Sequence, residues 1–220
     1  MSKDYSEDQL IQKSAADLLE KELGWTSVMA WDAEVLGETG TMGRKSYHEV
    51  LLVRHFCKAL KTLNPWMTEK QLAEAVERMT ERMSSQTLMQ INEEKYQYIK
   101  DGIPVTRTKP NGETEEVKAK VIDFASPKKN EFMCVRELWV YGSLYRRRAD
   151  IVGFVNGIPL LFMELKNHDV EVVDAFNKNY RDYLDTIPQL FYHNAFIMFS
   201  NGLEARVGTI DSKWEFFHEW

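Results

Sequence analysis

The stretch that decides the fold reads Arg146-Arg147-Arg148-Ala149-Asp150-Ile151-Val152-Gly153-Phe154-Val155-Asn156-Gly157-Ile158-Pro159-Leu160-Leu161-Phe162-Met163-Glu164-Leu165-Lys166-Asn167. Two nearly continuous apolar arms of strand length flank Asn156-Gly157, a turn dipeptide, so the segment reads as a β-hairpin buried on both faces. Charged groups are costly in such a core, and Asp150, Glu164 and Lys166 gather where the arms begin and end, which marks a site with a task. Register decides whether the two acids meet. A strict two-residue turn pairs Val155 with Ile158 and, counted outward, sets Asp150 opposite Met163, leaving Glu164 on the other face. An odd-length loop or one β-bulge pairs Asp150 with Glu164 instead. Pro159 has no N–H for a ladder and makes an irregular start to the second arm reasonable, so an odd loop or a bulge is predicted.

The residue types suit one chemistry. Mg²⁺ takes oxygen ligands in octahedral geometry and keeps several waters, so one or two carboxylates plus substrate phosphate oxygens are enough. Asp150 and Glu164 supply them, with the Leu165 carbonyl as a third oxygen. A lysine two residues past the glutamate shares its strand face, where Lys166 orients or deprotonates an attacking water or stabilises the transition-state anion. An Asp at one strand end and a Glu-x-Lys at another are also common as solvated ends, so spacing alone leaves that plainer reading open.

At this point the chain resembles the amino-terminal nuclease domain of the restriction and motor (R) subunit of type I restriction-modification enzymes, of the PD-(D/E)xK superfamily. The resemblance covers nearly the whole chain and is most specific at Phe154-Val155-Asn156-Gly157-Ile158-Pro159-Leu160 and Glu164-Leu165-Lys166-Asn167. It also runs through Leu23-Gly24-Trp25, Leu63-Asn64-Pro65, Ile122-Asp123-Phe124, Asn130-Glu131-Phe132, Ala175-Phe176-Asn177 and Ser200-Asn201-Gly202. It implies that Asp150 and Glu164 bind the metal, that Lys166 is the catalytic lysine, and that the substrate is double-stranded DNA. The implied cofactor is Mg²⁺, for which Mn²⁺ substitutes. It further implies a hydrolase of the type I site-specific deoxyribonuclease class that partners methyltransferase and specificity subunits in defence against foreign DNA. ATP-driven translocation belongs to other domains of that subunit, absent from this chain, so ATP is not expected to bind here. Two departures stand out. Arg148-Ala149-Asp150 replaces the family's frequent Arg-Pro-Asp, and Asn179 stands where a glutamine often precedes Tyr183, keeping the amide but shortening its reach to DNA.

Independently of that likeness, Ala175, Asn179 and Tyr183 recur at i, i+4 and i+8 on a predicted helix from Glu171 to about Asp185, so Asn179 and Tyr183 share a face that can approach the acids. The plainer reading of Tyr183 is a packed ring with its hydroxyl at the surface. Many nucleases with this motif use an early-helix glutamate. Glu7 is the first candidate and Glu49 the second, although glutamates on amphipathic helices ordinarily face solvent.

With 220 residues, 44% of them hydrophobic, the chain can bury a substantial core. Cys57 and Cys134 are isolated, which argues against a disulfide framework or a zinc site. The start is polar, with no signal-like segment, and Ile151 to Met163 is too short and broken to cross a bilayer, so a cytoplasmic location away from membranes is expected. The net charge of −6 is awkward for a self-sufficient DNA binder. Local charge is more favourable, with Lys128 and Lys129 upstream and Arg146, Arg147 and Arg148 beside Asp150 as candidate phosphate contacts. Weak autonomous binding is expected.

A single nuclease domain over 1–220 is expected, changing character near residue 102. The first part, 1–101, reads as mainly helical: Glu7 to Leu23, Tyr47 to Leu63, Thr68 to about Ser84 and Leu88 to Lys100, with a short strand in Ser27 to Asp32. Ser6 and Thr68 serve as caps, and Gly24 and Asn64-Pro65 as stops. The second, 102–220, reads as strands over Ile103–Arg107, Glu115–Phe124, Glu131–Tyr141, the hairpin, Ala195–Ser200 and Ala205–Gly208. A mixed sheet flanked by helices follows, of α/β or α+β class. Gly37 to Ser46 is a poor phosphate loop, because Arg44 separates the last glycine from Lys45. His168 reads as a loop residue, the other histidines have no metal spacing, and Trp25, Trp31, Trp139 and Trp214 read as core. Two other functions compete: a non-catalytic coupling module that keeps the nuclease fold, and a stand-alone nuclease of the same superfamily with its own DNA-binding surface.

Overall fold

The computed structural model describes residues 7–220, with side chains described from residue 11 onward. The Ser6 cap and the Glu7 side chain lie outside the described residues. Helix α1 (Glu7–Lys21) leads into strand β1 (Thr26–Met29), and α2 (Val53–Leu63), α3 (Glu69–Thr80) and α4 (Leu88–Asp101) follow. Thr68 and Thr87 each close a capping box, with Gln71 and Gln90 answering from the third helical position, so these starts are set locally by side chains that satisfy the orphan N–H groups.

The helix expected from Tyr47 begins only at Val53. Residues 47–52 are held by partners far along the chain: Tyr47 O accepts from Tyr141 N and Leu52 N donates to Gly157 O, both at 2.9 Å. A Cβ on Gly157 would sit 2.6 Å from Leu52 O, so the hairpin turn and this segment touch backbone to backbone, which only glycine permits. Arg44, expected in a poor phosphate loop, is turned fully inward. Its Nε donates to Glu34 Oε1 at 2.8 Å and its Nη atoms reach the carbonyls of Glu49 and Trp139, tying this loop to the sheet.

Strands β2 (Ile103–Thr108) and β3 (Thr114–Ala119) form a separate antiparallel hairpin across the Lys109–Gly112 turn. The second of these was expected to continue to Phe124. It stops because residues 120–123 bond to side chains: Asn64 brackets Lys120 through Oδ1 and Nδ2 at 2.8 and 2.7 Å, Asn156 Nδ2 takes Val121 O, and Asn130 Oδ1 takes Asp123 N.

The main sheet is mixed and seven-stranded. It adds β4 (Phe132–Tyr141), β5 (Arg146–Val155), β6 (Ile158–Leu165), β7 (Phe196–Ser200), β8 (Ala205–Gly208) and a short β9 (His218–Glu219) in the order β1-β4-β5-β6-β7-β8-β9. The β1/β4 and β6/β7 pairs are parallel and the others antiparallel. Between β6 and β7 run α5 (Val172–Asp174), a π-helical segment (Ala175–Tyr180) and α6 (Arg181–Thr186) in one continuous stretch, followed by a 3-10 turn (Pro188–Phe191). Ala16 of α1 packs with Cys134, Ile151, Met163 and Leu165, whereas Phe176, Tyr180 and Tyr183 pack with Val152, Phe162 and Phe199. Alternate residues of the central strands thus enter different clusters, which explains why these strands read as continuous apolar runs. Among the described residues no helix is long and apolar enough to cross a membrane.

Candidate active site

The hairpin holds the register that brings the acids together. Asn156 and Gly157 both adopt positive φ, 52° and 78°, in a two-residue turn that pairs Val155 with Ile158. After Phe154↔Pro159 the register shifts by one, so Gly153 pairs with Leu161 and Ile151 with Met163. The bulge follows Pro159, where a ladder donor is missing. Continued by one residue, this register sets Asp150 beside Glu164. β5 begins at Arg146, so Asp150 stands within the strand and not at its start; Glu164 is one residue from the end of β6.

Asp150, Glu164, Leu165 and Lys166 line one cavity of about 500 Å³ with Arg146, Arg147, Arg148, Asn179 and Tyr183. Glu49 lines a different cavity, near α2 and α3. Asp150 is fixed on both oxygens: Gln12 Nε2 of α1 donates to Oδ1 at 3.0 Å and Leu165 N to Oδ2 at 2.7 Å. Lys166 Nζ donates to Glu164 Oε1 at 3.1 Å. Glu164 is buried, and its Oε2 has no hydrogen-bond partner. Burial first, then the negative charges of Asp150 and Glu137, raise the Glu164 carboxyl well above its ordinary range, against the pull of Lys166.

Tyr183 donates its hydroxyl to Arg148 O at 2.9 Å, so it is a buried strut to the strand carrying Asp150 and not a surface hydroxyl. Burial and the charges of Glu164 and Asp150 push its phenol pKa up, while a hydrogen bond with the Asn179 side chain opposes them. The π-helical segment delivers Asn179 one turn before Tyr183, and both face the cavity. Of the arginine triplet, Arg147 is forked onto Asp182, with Nη2 2.7 Å from Oδ1, and Arg148 pairs with Glu137.

Four lining residues were not assigned to the site from the sequence: Gln12, Glu137, Trp31 and Trp139. Gln12 shares a helical stripe with Ala16, and a polar group on a buried stripe was the available signal. Glu137 interrupts an apolar strand, the same signal that singled out Glu164. Trp31 and Trp139 were expected in the core. Trp31 is instead exposed and Trp139 half-buried, both against Arg148 at the mouth of the cavity. His168 is exposed and does not line the cavity.

The donor set is hard: carboxylate oxygens and backbone around a buried oxygen without a partner, which fits a small divalent cation. Among the described residues no three His, Cys, Asp or Glu side chains are arranged as a ready-made metal cage, so the fit rests on two carboxylates with open positions.

A mixed α/β sheet with Asp on one central strand and Glu-x-Lys on its neighbour defines the PD-(D/E)xK type of nuclease fold. Comparison with known proteins narrows this. The family described as type I restriction enzyme R protein N terminus matches residues 4–216, and the chain belongs to that family. It is 31% identical over 98% of its length to the putative type I restriction enzyme MjaIXP endonuclease subunit of Methanocaldococcus jannaschii. It is 30% identical over 90% of its length to the type I restriction enzyme HindI endonuclease subunit of Haemophilus influenzae. A subunit from Staphylococcus aureus is 30% identical over 49% of the chain. The chain spans about a fifth of the first two relatives, 20% and 19% of their lengths.

Proposed function

We propose that this chain is a Mg²⁺-dependent endonuclease unit that hydrolyses phosphodiester bonds of double-stranded DNA. It acts in the cytoplasm within a restriction complex containing methyltransferase and specificity subunits. The observation that carries the reading is the bulged register, which sets Asp150 beside Glu164 with Lys166 3.1 Å from the glutamate. Asp150, Glu164 and the Leu165 carbonyl would hold the cation, with Mn²⁺ as a substitute. When bound, it supplies a water of lowered pKa and positive charge beside the scissile phosphate.

The chain's own groups do the rest. Gln12 and the Leu165 amide fix the Asp150 carboxylate, so its orientation is set before substrate arrives. Lys166 orients the attacking water and donates to the anion that develops at phosphorus. Tyr183 holds the Arg148 carbonyl and thereby the strand under Asp150, and Asn179 offers its amide to the DNA. No step assigned to this chain uses ATP. The acidic net charge of −6 favours action inside an assembly, where partners supply most of the DNA affinity.

The test is nicking of supercoiled plasmid in Mg²⁺ or Mn²⁺ by the intact subunit with its partners. Asp150→Ala and Lys166→Ala should each lower the rate by at least about a hundredfold. Wild-type cutting by both variants would reject the reading.

A further inference from the structure

Glu137 carries two costs that the core does not require. It is a buried carboxylate in the middle of β4, and it is a non-glycine residue at φ 56°, a left-handed conformation that a side chain adopts only at a cost. Its neighbours Arg136 and Leu138 pair with Ile151 and Ala149, so Glu137 stands level with Asp150 on the adjoining strand. Its carboxylate meets Nε of Arg148, two residues before Asp150. The same guanidinium lies over the Trp31 ring, 4.0 Å from its centroid, with Trp139 5.6 Å away on the other strand.

A guanidinium ion-paired through Nε on one edge and lying over a ring has its Nη fork left to present, the group that grips a phosphate through two parallel hydrogen bonds. Arg148 remains 33% exposed at the mouth of the cavity. The other two arginines differ: Arg147 has committed Nε and Nη2 to Asp182, and Arg146 is exposed with Trp139 at 5.3 Å.

We infer that Glu137 and Trp31 are positioning residues that fix Arg148 as the clamp on a DNA phosphate beside the bond to be cut. This deepens the nuclease reading and rests on it. Glu137 acts through Arg148 and is not a cation ligand, which separates it from Asp150 and Glu164.

The test uses the 220-residue chain, a fluorescent DNA duplex and anisotropy at low salt in Ca²⁺, with Mn²⁺ binding measured separately by calorimetry without DNA. Glu137→Gln and Arg148→Lys should each weaken duplex binding about tenfold. The double variant should lose no more than either single one, and all three should still bind Mn²⁺, with a change much smaller than that in duplex binding. Trp31→Ala should weaken duplex binding and Trp31→Phe should preserve it. Additive losses, a Glu137→Gln chain with wild-type duplex affinity, or, where the chain alone binds too weakly to measure, Glu137→Gln cutting plasmid at the wild-type rate in the intact subunit with its partners would overturn the proposal. So would loss of Mn²⁺ binding in Glu137→Gln. If Glu137→Gln does not fold by circular dichroism, Arg148→Lys and Trp31→Ala decide, and wild-type affinity in either overturns it. Failure of the nuclease reading itself looks different: Asp150→Asn would then leave Mn²⁺ binding intact.

Discussion

Replacing Lys166 by Met should destabilise the chain in a way that depends on pH and identifies the partner it has lost. Lys166 is 20% exposed and donates at 3.1 Å to Glu164, whose side chain is 2% exposed. The second oxygen of that carboxylate has no hydrogen bond, and Asp150 lies beside it. Removing the cation from such a pair leaves a buried charge without compensation, worth about 3 kcal/mol at the low end of the range for broken buried pairs, taken because Lys166 is partly solvated. For a domain of this size that corresponds to a melting temperature lower by roughly 6–12 °C. Burial and then Asp150 raise the Glu164 pKa in the folded chain above the ordinary 4.5. The folded state therefore binds the proton more tightly than the unfolded one, and the stability this gives is complete below 4.5 and lost as pH rises through the raised value. Without Lys166 the value rises further and the loss deepens. The gap between wild type and Lys166→Met should be small near pH 4 and largest at neutral pH, in metal-free buffer. Differential scanning fluorimetry across that range reads it directly. Equal melting temperatures at neutral pH, or a gap of the same size at both ends, would refute the electrostatic argument and leave only the packing of the lysine stem.

Substitutions at two further positions probe the framework. Asn156→Ala removes acceptance from Glu131 N and donation to Val121 O and Asn130 Oδ1, and places alanine at φ 52°; urea denaturation should show a loss of roughly 3 kcal/mol or more. Asn156→Gly keeps the turn and loses only the side-chain bonds, so its loss should be smaller. Tyr183→Phe removes the strut to the Arg148 carbonyl, and plasmid nicking should fall about tenfold while the melting temperature changes little. Unchanged nicking would remove Tyr183 from the site.

The central hairpin was legible because two local signals agreed. Asn156-Gly157 set the turn, and Pro159 marked where a ladder would fail, so the need for a bulge followed from asking Asp150 and Glu164 to meet. The helix start at Thr68 was equally local; the structure adds that Thr68 and Thr87 are each answered by a Gln three residues on. What escaped reading was decided by partners distant in the chain. Residues 47–52 looked helical, yet Tyr141 and Gly157 take their backbone groups, and residues 120–123 looked like strand until Asn64, Asn130 and Asn156 took theirs. Gln12 approaches Asp150 across 138 residues of chain, a distance no periodicity spans. Glu137 was readable in principle, as a charge inside an apolar strand, but its meaning depends on Arg148 and Trp31 meeting it.

A divalent cation held by the carboxylates of residues 150 and 164 is what the proposed nuclease requires. Crystals of the chain soaked in Mn²⁺ and measured at the manganese absorption edge should give an anomalous peak between those two carboxylates, and the peak should vanish in Asp150→Asn. Saturating Mn²⁺ with no peak at that position would contradict it.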